Sequence, residues 1–371
     1  MKPSANVVDL QEQGGFFSGW TRFWFAPADP FGLHLTRLLT GILLLSWLLP
    51  LHGDVSALYG LQGWFDRQAL SETARLDPMQ APKPLGWSLL YLCGNNVALL
   101  QTMYWGSIAV LVLFTLGIAT RLTVPAGWVI VASFTATPLF DEEVDSVLQF
   151  LTLYLGVAYL LLGQWNGRLS LVERLIGSRD SLLLGRIFTR SGRETSPSVG
   201  ANVALRLLQV HVAILLVSTG MHKLQMGEWW AGVAYWFNWY PAMGTTVARA
   251  REHARDVNWF LGQLNVMAYL TLAWQITFPF FAWRSGWSRV ILLGGALAGW
   301  VGLVVLYQMS YFGLAFFICC LAFITGQEWA WVGQLLQRVS TLKPLGAFLP
   351  EPQELSVRGA STGSLHSVGE K

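Results

Sequence analysis

The sequence predicts an all-α integral membrane protein, a polytopic bundle of about eight transmembrane helices with both termini cytoplasmic. Three observations carry that prediction. The 371 residues are 53% hydrophobic and only 12% charged, with mean hydropathy +0.45 and 19 Trp, whereas soluble domains carry roughly 25% charged residues. The apolar residues fall in runs long enough to cross a bilayer, on the order of 20 residues each. The runs also lack the two-residue alternation of barrel strands, which leaves a helix bundle as the way to satisfy the backbone in lipid.

The spans are read at 33–51, 101–119, 124–140, 146–163, 203–221, 262–283, 287–306 and 310–326. They make one membrane domain, 33–326, between an N-terminal segment 1–32 and a tail 327–371 that turns polar and Ser/Gly-rich after about 340. An apolar stretch at 85–100, interrupted by Gly94-Asn95-Asn96, is either re-entrant or an early start of the second span. The first 31 residues have no apolar core behind which a signal peptidase would cut. Phe16, Phe17, Trp20, Phe23, Trp24 and Phe25 fit a short interfacial helix or an aromatic belt equally well. Cys93, Cys319 and Cys320 offer no disulfide framework or metal spacing, and no CxxC, GxGxxG, P-loop or GxSxG occurs. No metal site and no nucleic-acid partner are expected.

Charge sets the orientation. The loop after the fourth span carries Arg168, Arg174, Arg179, Arg186, Arg190 and Arg193, while the loop before it carries Asp141, Glu142, Glu143 and Asp145 without Lys or Arg. Cytoplasmic loops hold the excess Lys and Arg, so the first loop is read as inside and the second as outside. Arg121, Arg284, Arg289, Arg22, Arg338 and Lys343 then fall inside. Loops 52–100 and 224–259 have mixed charge and bias neither side. The chain is placed in the cell membrane as a multi-pass protein.

The most informative ionisable residue is Lys223, which ends the apolar run 203–221. An ammonium in a span is costly and is a functional candidate by default, and a buried amine is a usual way to place a base near neutral pH. A lysine at a helix end also snorkels to the headgroups, and position alone favours that reading. Asp145 falls at the same membrane face, so the two are candidates for a carboxylate–amine pair, or for a structural tie between two helices.

These residues carry a resemblance. The chain resembles the HTTM family, the membrane domain of vitamin K-dependent gamma-carboxylases and their bacterial homologues. Leu33–Gly41, with Arg37 and Gly41, looks like that family's opening helix, and Leu116–Thr123 is similar to its turn between the second and third spans. Thr219-Gly220-Met221-His222-Lys223-Leu224 followed by Trp229 and Gly232 looks like its most specific motif, Gly-x-x-Lys-Leu with Trp-x-x-Gly close behind. The resemblance implies that Lys223 is a base acting on reduced vitamin K or a similar quinol, the step that starts carboxylase chemistry, a lyase reaction. His222 stands where those enzymes have a second lysine and would share the proton, or is simply interfacial.

The departures are informative. Asp145 occupies the register of a carboxylase histidine, and an ionised carboxylate donates no hydrogen bond. Trp300 occupies another, and no His lies between His253 and His366. The chain ends at 371 with a short polar tail, so carboxylation of protein glutamate is not expected of it.

The other candidates each have a plainer reading. His211 sits mid-span among apolar residues and suits a packing histidine as well as a ligand-binding one. Gln149 lies one turn after Asp145 and either lines the same cleft or bridges helices, as Gln209, Gln275 and Gln308 do. Trp229, Trp230, Trp236, Trp239 and Tyr240 form an aromatic cluster that fits an interface belt or a stacking site for a quinone. Pro279 predicts a kink, and Gly294–Gly299 suits close helix packing. Three function classes follow: a membrane enzyme with Lys223 as base on a lipid-soluble substrate, a non-enzymatic quinone- or lipid-binding subunit serving a membrane or periplasmic partner, and a transporter. The absence of a visible internal repeat disfavours the third.

Overall fold

The computed structural model describes residues 16–60, 63, 87–93, 96–136, 142–162, 198–236, 246, 248–249, 252, 255, 258–329 and 331–332. Its regular elements are all helical. In chain order they are α1 (Phe16–Phe25), α2 (Phe31–Leu48, extended by a 3-10 turn to Gly53), α3 (Val55–Tyr59), α4 (Val97–Leu116), α5 (Thr120–Phe134), α6 (Glu142–Leu161), α7 (Val199–Lys223), α8 (Gly227–Trp230), α9 (Asn258–Phe281), α10 (Trp287–Tyr307) and α11 (Ser310–Leu321). The arginine-rich loop 163–197, Asp141, the charges between 64 and 86, Trp239, Tyr240 and the tail beyond 332 lie outside the described residues.

Among the described residues, six helices are long and apolar enough to cross a membrane: α2 with its extension, α4, α6, α7, α9 and α10. The remaining two expected spans form shorter helices of 15 and 12 residues, α5 and α11. At about 1.5 Å per residue they reach roughly 22 and 18 Å, less than the ~30 Å hydrocarbon core. The early end of α11 has a local cause. Thr325 donates from both its backbone N–H and its hydroxyl to Glu328 Oε2, at 2.8 and 2.9 Å, and its Oγ1 accepts from the Glu328 N–H at 3.4 Å. This capping box starts a fresh helical turn where the sequence reading continued the old span.

Residues 87–100 divide in two. Leu89–Cys93 forms a 3-10 turn braced on the end of α5, where Ser88 Oγ donates to the Ser133 carbonyl at 2.7 Å. The span proper starts at Val97 behind Asn96, whose side chain accepts from the Leu99 N–H. Helices α2, α4, α5, α6, α7 and α11, with Phe278 of α9 and Leu292 and Ala296 of α10, enclose one buried apolar core. Helix α9 packs along α7, and α10 lies outside, with only Leu292 and Ala296 of its residues buried. Such an outward-facing helix, apolar beyond the Ser288 and Arg289 of its first turn, is what lipid contact selects.

At one end of the bundle α1 docks on the start of α7. Its last carbonyls, which have no partner within a helix, are taken by Asn202: its Nδ2 donates to Phe23 O and Trp24 O, each at 2.9 Å. The sequence reading assigns this α1 end to the cytoplasm.

Candidate functional site

Helix α7 starts at an N-cap, Ser198, and runs 25 residues to Lys223, with His222 and Lys223 in its last turn, where cations suit the helix dipole. Gly220 faces α9 so closely that a Cβ there would stand 3.0 Å from Ile276 Cγ1 and 3.3 Å from Gln275 Cβ. That approach sets up the next turn. Three residues on, Lys223 Nζ donates to Gln275 Oε1 at 3.0 Å. The Gly-x-x-Lys spacing is thus a contact device: the glycine brings the helices together and the lysine spans to the amide.

Lys223 ends its own helix but not the bundle. Gln275 lies 17 residues beyond Asn258 in α9 and 6 before Phe281, about 26 Å and 9 Å along the axis. The chain after Lys223 continues along the outer part of α9. Tyr235 Oη donates to Thr271 Oγ1 at 2.9 Å, Trp236 Nε1 to Asn265 Oδ1 at 2.7 Å, and Tyr269 Oη to the Trp230 carbonyl at 2.7 Å. Gly232 makes this path possible, because its φ of +72° is left-handed and a Cβ would sit 3.0 Å from the Tyr269 ring. The segment 224–236 therefore forms a cap over the ammonium.

Trp229 is the inner face of the cap. It is buried, packs edge-on to Tyr235, and presents its ring to Lys223 Nζ at 4.7 Å. Trp230 points outward, 63% exposed, with its Nε1 donating to Leu224 O at 2.5 Å. A lysine at depth costs about 2.5–3.5 kcal/mol. A hydrogen bond from a charged donor offsets about 1.5–3 kcal/mol, and a cation–π contact about 1 kcal/mol. Gln275 and Trp229 are thus sufficient in magnitude to hold the ammonium without strain on the fold. Pro279 adds a further polar feature. It sits in the last turn of α9 and has no N–H to give to the Gln275 carbonyl four residues before.

The other sequence candidates sit elsewhere. His211 Nδ1 is 2.8 Å from Tyr154 Oη, and its ring stacks on Phe150 at 4.7 Å, tying α7 to α6. Gln149 Nε2 donates to Thr135 Oγ1 at 2.6 Å and ties α6 to the end of α5. His222 is exposed. Asp145 is buried, 2% exposed, near the start of α6. It lies nine residues from Tyr154, about half a turn away at roughly 100° per residue, so it shares the Gln149 side of α6. Lys223 occupies the α9 side of α7. Topology brings the two residues to one end of their helices.

A second buried cation went unremarked in the sequence as a site. Arg37 of α2 is fully buried, its guanidinium 5.6 Å from the Tyr159 ring centre and packed onto the Cα of Gly117. Tyr159 Oη lies 2.6 Å from His34 Nδ1, so α2 and α6 share this polar cluster. The i, i+3 spacing of His34 and Arg37 within a span was the signal that could have found it. Compared with known proteins, the chain matches no family model, no curated protein and no solved structure.

Proposed function

We propose that this multi-pass helical protein is of the HTTM kind and uses Lys223 as a base toward a lipid-soluble substrate, a reduced quinone being the first choice. The observation that carries the reading is the placement of the amine: inside the length of α9, beneath a tryptophan cap, and hydrogen-bonded to a neutral amide. Gln275 Oε1 accepts from the nitrogen in either protonation state, so it positions the group without fixing its charge. The step is transfer of a quinol hydroxyl proton to neutral Nζ, giving a quinolate and an ammonium. His222, exposed one residue away, passes the proton to water, and Asp145 supplies negative charge at the same end of the bundle. Trp230 offers an open ring face for the quinone.

A second reading is a non-enzymatic quinone- or lipid-binding subunit of the cell membrane. It is favoured by His211 and Gln149 being engaged in helix-to-helix bonds. Quinol-dependent oxygen uptake by the purified protein separates the two. The enzyme reading predicts uptake that is lost in both Lys223→Ala and Lys223→Arg with thermal stability unchanged. No uptake by the wild type over a panel of quinols, with Lys223→Ala only less stable, supports the subunit reading.

A further inference from the structure

At the α1 end, opposite Lys223, two arginines from different helices are drawn together. Arg206, in the second turn of α7, donates from Nε to the Phe23 carbonyl at 3.2 Å and from Nη1 to Gln209 Oε1 at 2.8 Å, and the Phe23 ring lies 4.3 Å from its Cζ. Arg289, in the first turn of α10, donates from Nε to Glu328 at 3.0 Å and from Nη1 to the Ala282 carbonyl at 2.6 Å. Gln209 Oε1, which accepts from Arg206, also accepts from Trp283 Nε1, and Trp283 adjoins Ala282, whose carbonyl accepts from Arg289, so both guanidiniums are tied to the same end of α9. Among the described residues, Glu328 is the carboxylate bonded to the pair, and it is bound by Arg289.

Each guanidinium is held rigidly by its Nε and Nη1, which leaves both Nη2 groups with no partner among the described residues, and neither is sealed away from the surroundings. Two oriented forks and one carboxylate leave an excess positive charge, which an anion would neutralise. The anchoring network is extensive: Gln209 Nε2 donates to Ala322 O at 2.8 Å and Trp283 Nε1 donates to Gln209 Oε1 at 2.9 Å. Trp20, three residues before Phe23 in α1, and Trp287, two residues before Arg289 in α10, are 54% and 82% exposed. Exposed tryptophans at the ends of spans mark headgroup depth. Guanidinium forks match phosphate oxygens in pairs.

We propose that Arg206 and Arg289 form a phosphate-binding site that takes the headgroup of an anionic phospholipid at the α1 end of the bundle. Arg206 binds through Nη2 from α7 and Arg289 through Nη2 from α10, so the lipid bridges two helices, while the carboxylate of Glu328, held at Arg289 Nε, opposes it by like charge. Basic pockets between spans on the cytoplasmic side are a recognised place for such headgroups.

The test is thermal unfolding of the full-length protein in maltoside micelles titrated with phosphatidylglycerol, phosphatidylcholine or inorganic phosphate, since a ligand of the folded state raises Tm. Phosphatidylglycerol should raise Tm at concentrations where phosphatidylcholine and phosphate do not. Arg206→Gln should weaken the apparent affinity about tenfold, and Arg206→Lys should restore it only in part. Glu328→Gln keeps an acceptor for Arg289 Nε and removes the opposing negative charge. It should lower the starting Tm and yet tighten lipid binding, which a purely structural ion pair would not do. Equal shifts from phosphatidylglycerol and phosphatidylcholine, an equal shift from free phosphate, or an Arg206→Gln or Glu328→Gln variant with unaltered affinity would overturn the proposal.

Discussion

Two of the cations inside this bundle, Arg37 and Lys223, are housed in opposite ways. Arg37 is sealed: 0% exposed, laid on a glycine, with Tyr159 and His34 beside it. Lys223 is half-buried, and its Nζ meets the Gln275 amide oxygen at 3.0 Å and the Trp229 ring at 4.7 Å. Arginine keeps its charge under almost any burial, whereas lysine changes protonation readily. The sealed site therefore suits a cation that anchors helices, and the capped site suits an amine that meets a ligand. Burial alone does not separate the two roles; the residue type and the covering do.

Gly117→Ala should break the sealed site most. Gly117 has φ +79° at the end of α4, and the added Cβ would collide with the Arg37 guanidinium. A left-handed alanine and a displaced buried cation together should cost about 3 kcal/mol or more, read as a large fall in Tm in detergent. Gly220→Ala attacks the capped site instead. It should cost about 2 kcal/mol by pushing α7 from α9, and it should remove activity or ligand binding along with the Lys223–Gln275 bond.

Gln275→Leu sharpens the contrast, because it keeps the shape of α9 and deletes only the acceptor. A loss of about 1.5 kcal/mol is expected, with ligand response falling more than stability. The smallest effect is at Glu328, outside the spans. Burial pushes its carboxyl up, but hydrogen bonds from Thr325 and the Arg289 guanidinium outweigh that and hold it below its ordinary value of 4.5. A lowered folded value means the stabilisation is complete above the ordinary value and fades as pH falls through the folded one. Tm should therefore drop at acid pH by an amount worth no more than about 1 kcal/mol for this partly exposed pair, and Glu328→Gln should flatten that part of the profile.

The helices were largely legible. The expected spans all appear as helices, because a run of about 20 apolar residues leaves the backbone no other arrangement in lipid. Their ends were less so. The Thr325-x-x-Glu328 capping box is readable in the sequence but was overridden by the apolar run around it. The site was legible as a residue and not as a set. Lys223 stood out as a costly charge, and Gln275 as a polar residue in a span, yet nothing in a single sequence links positions 52 apart. The common end of Asp145 and Lys223 followed from topology, while the side each faces depends on helix phase, which only packing reveals. Arg37 escaped attention as a site because an arginine near a helix start reads as a snorkelling cation.

The most direct test of the central claim, that a lipid-soluble ligand meets Lys223, is photolabelling with a diazirine-bearing naphthoquinone followed by peptide mapping. The account predicts label concentrated on residues 216–236 and 265–276 and displaced by unlabelled quinone. Label spread over the outward residues of α10, such as Val301 and Val305, and undiminished by the competitor, would contradict it.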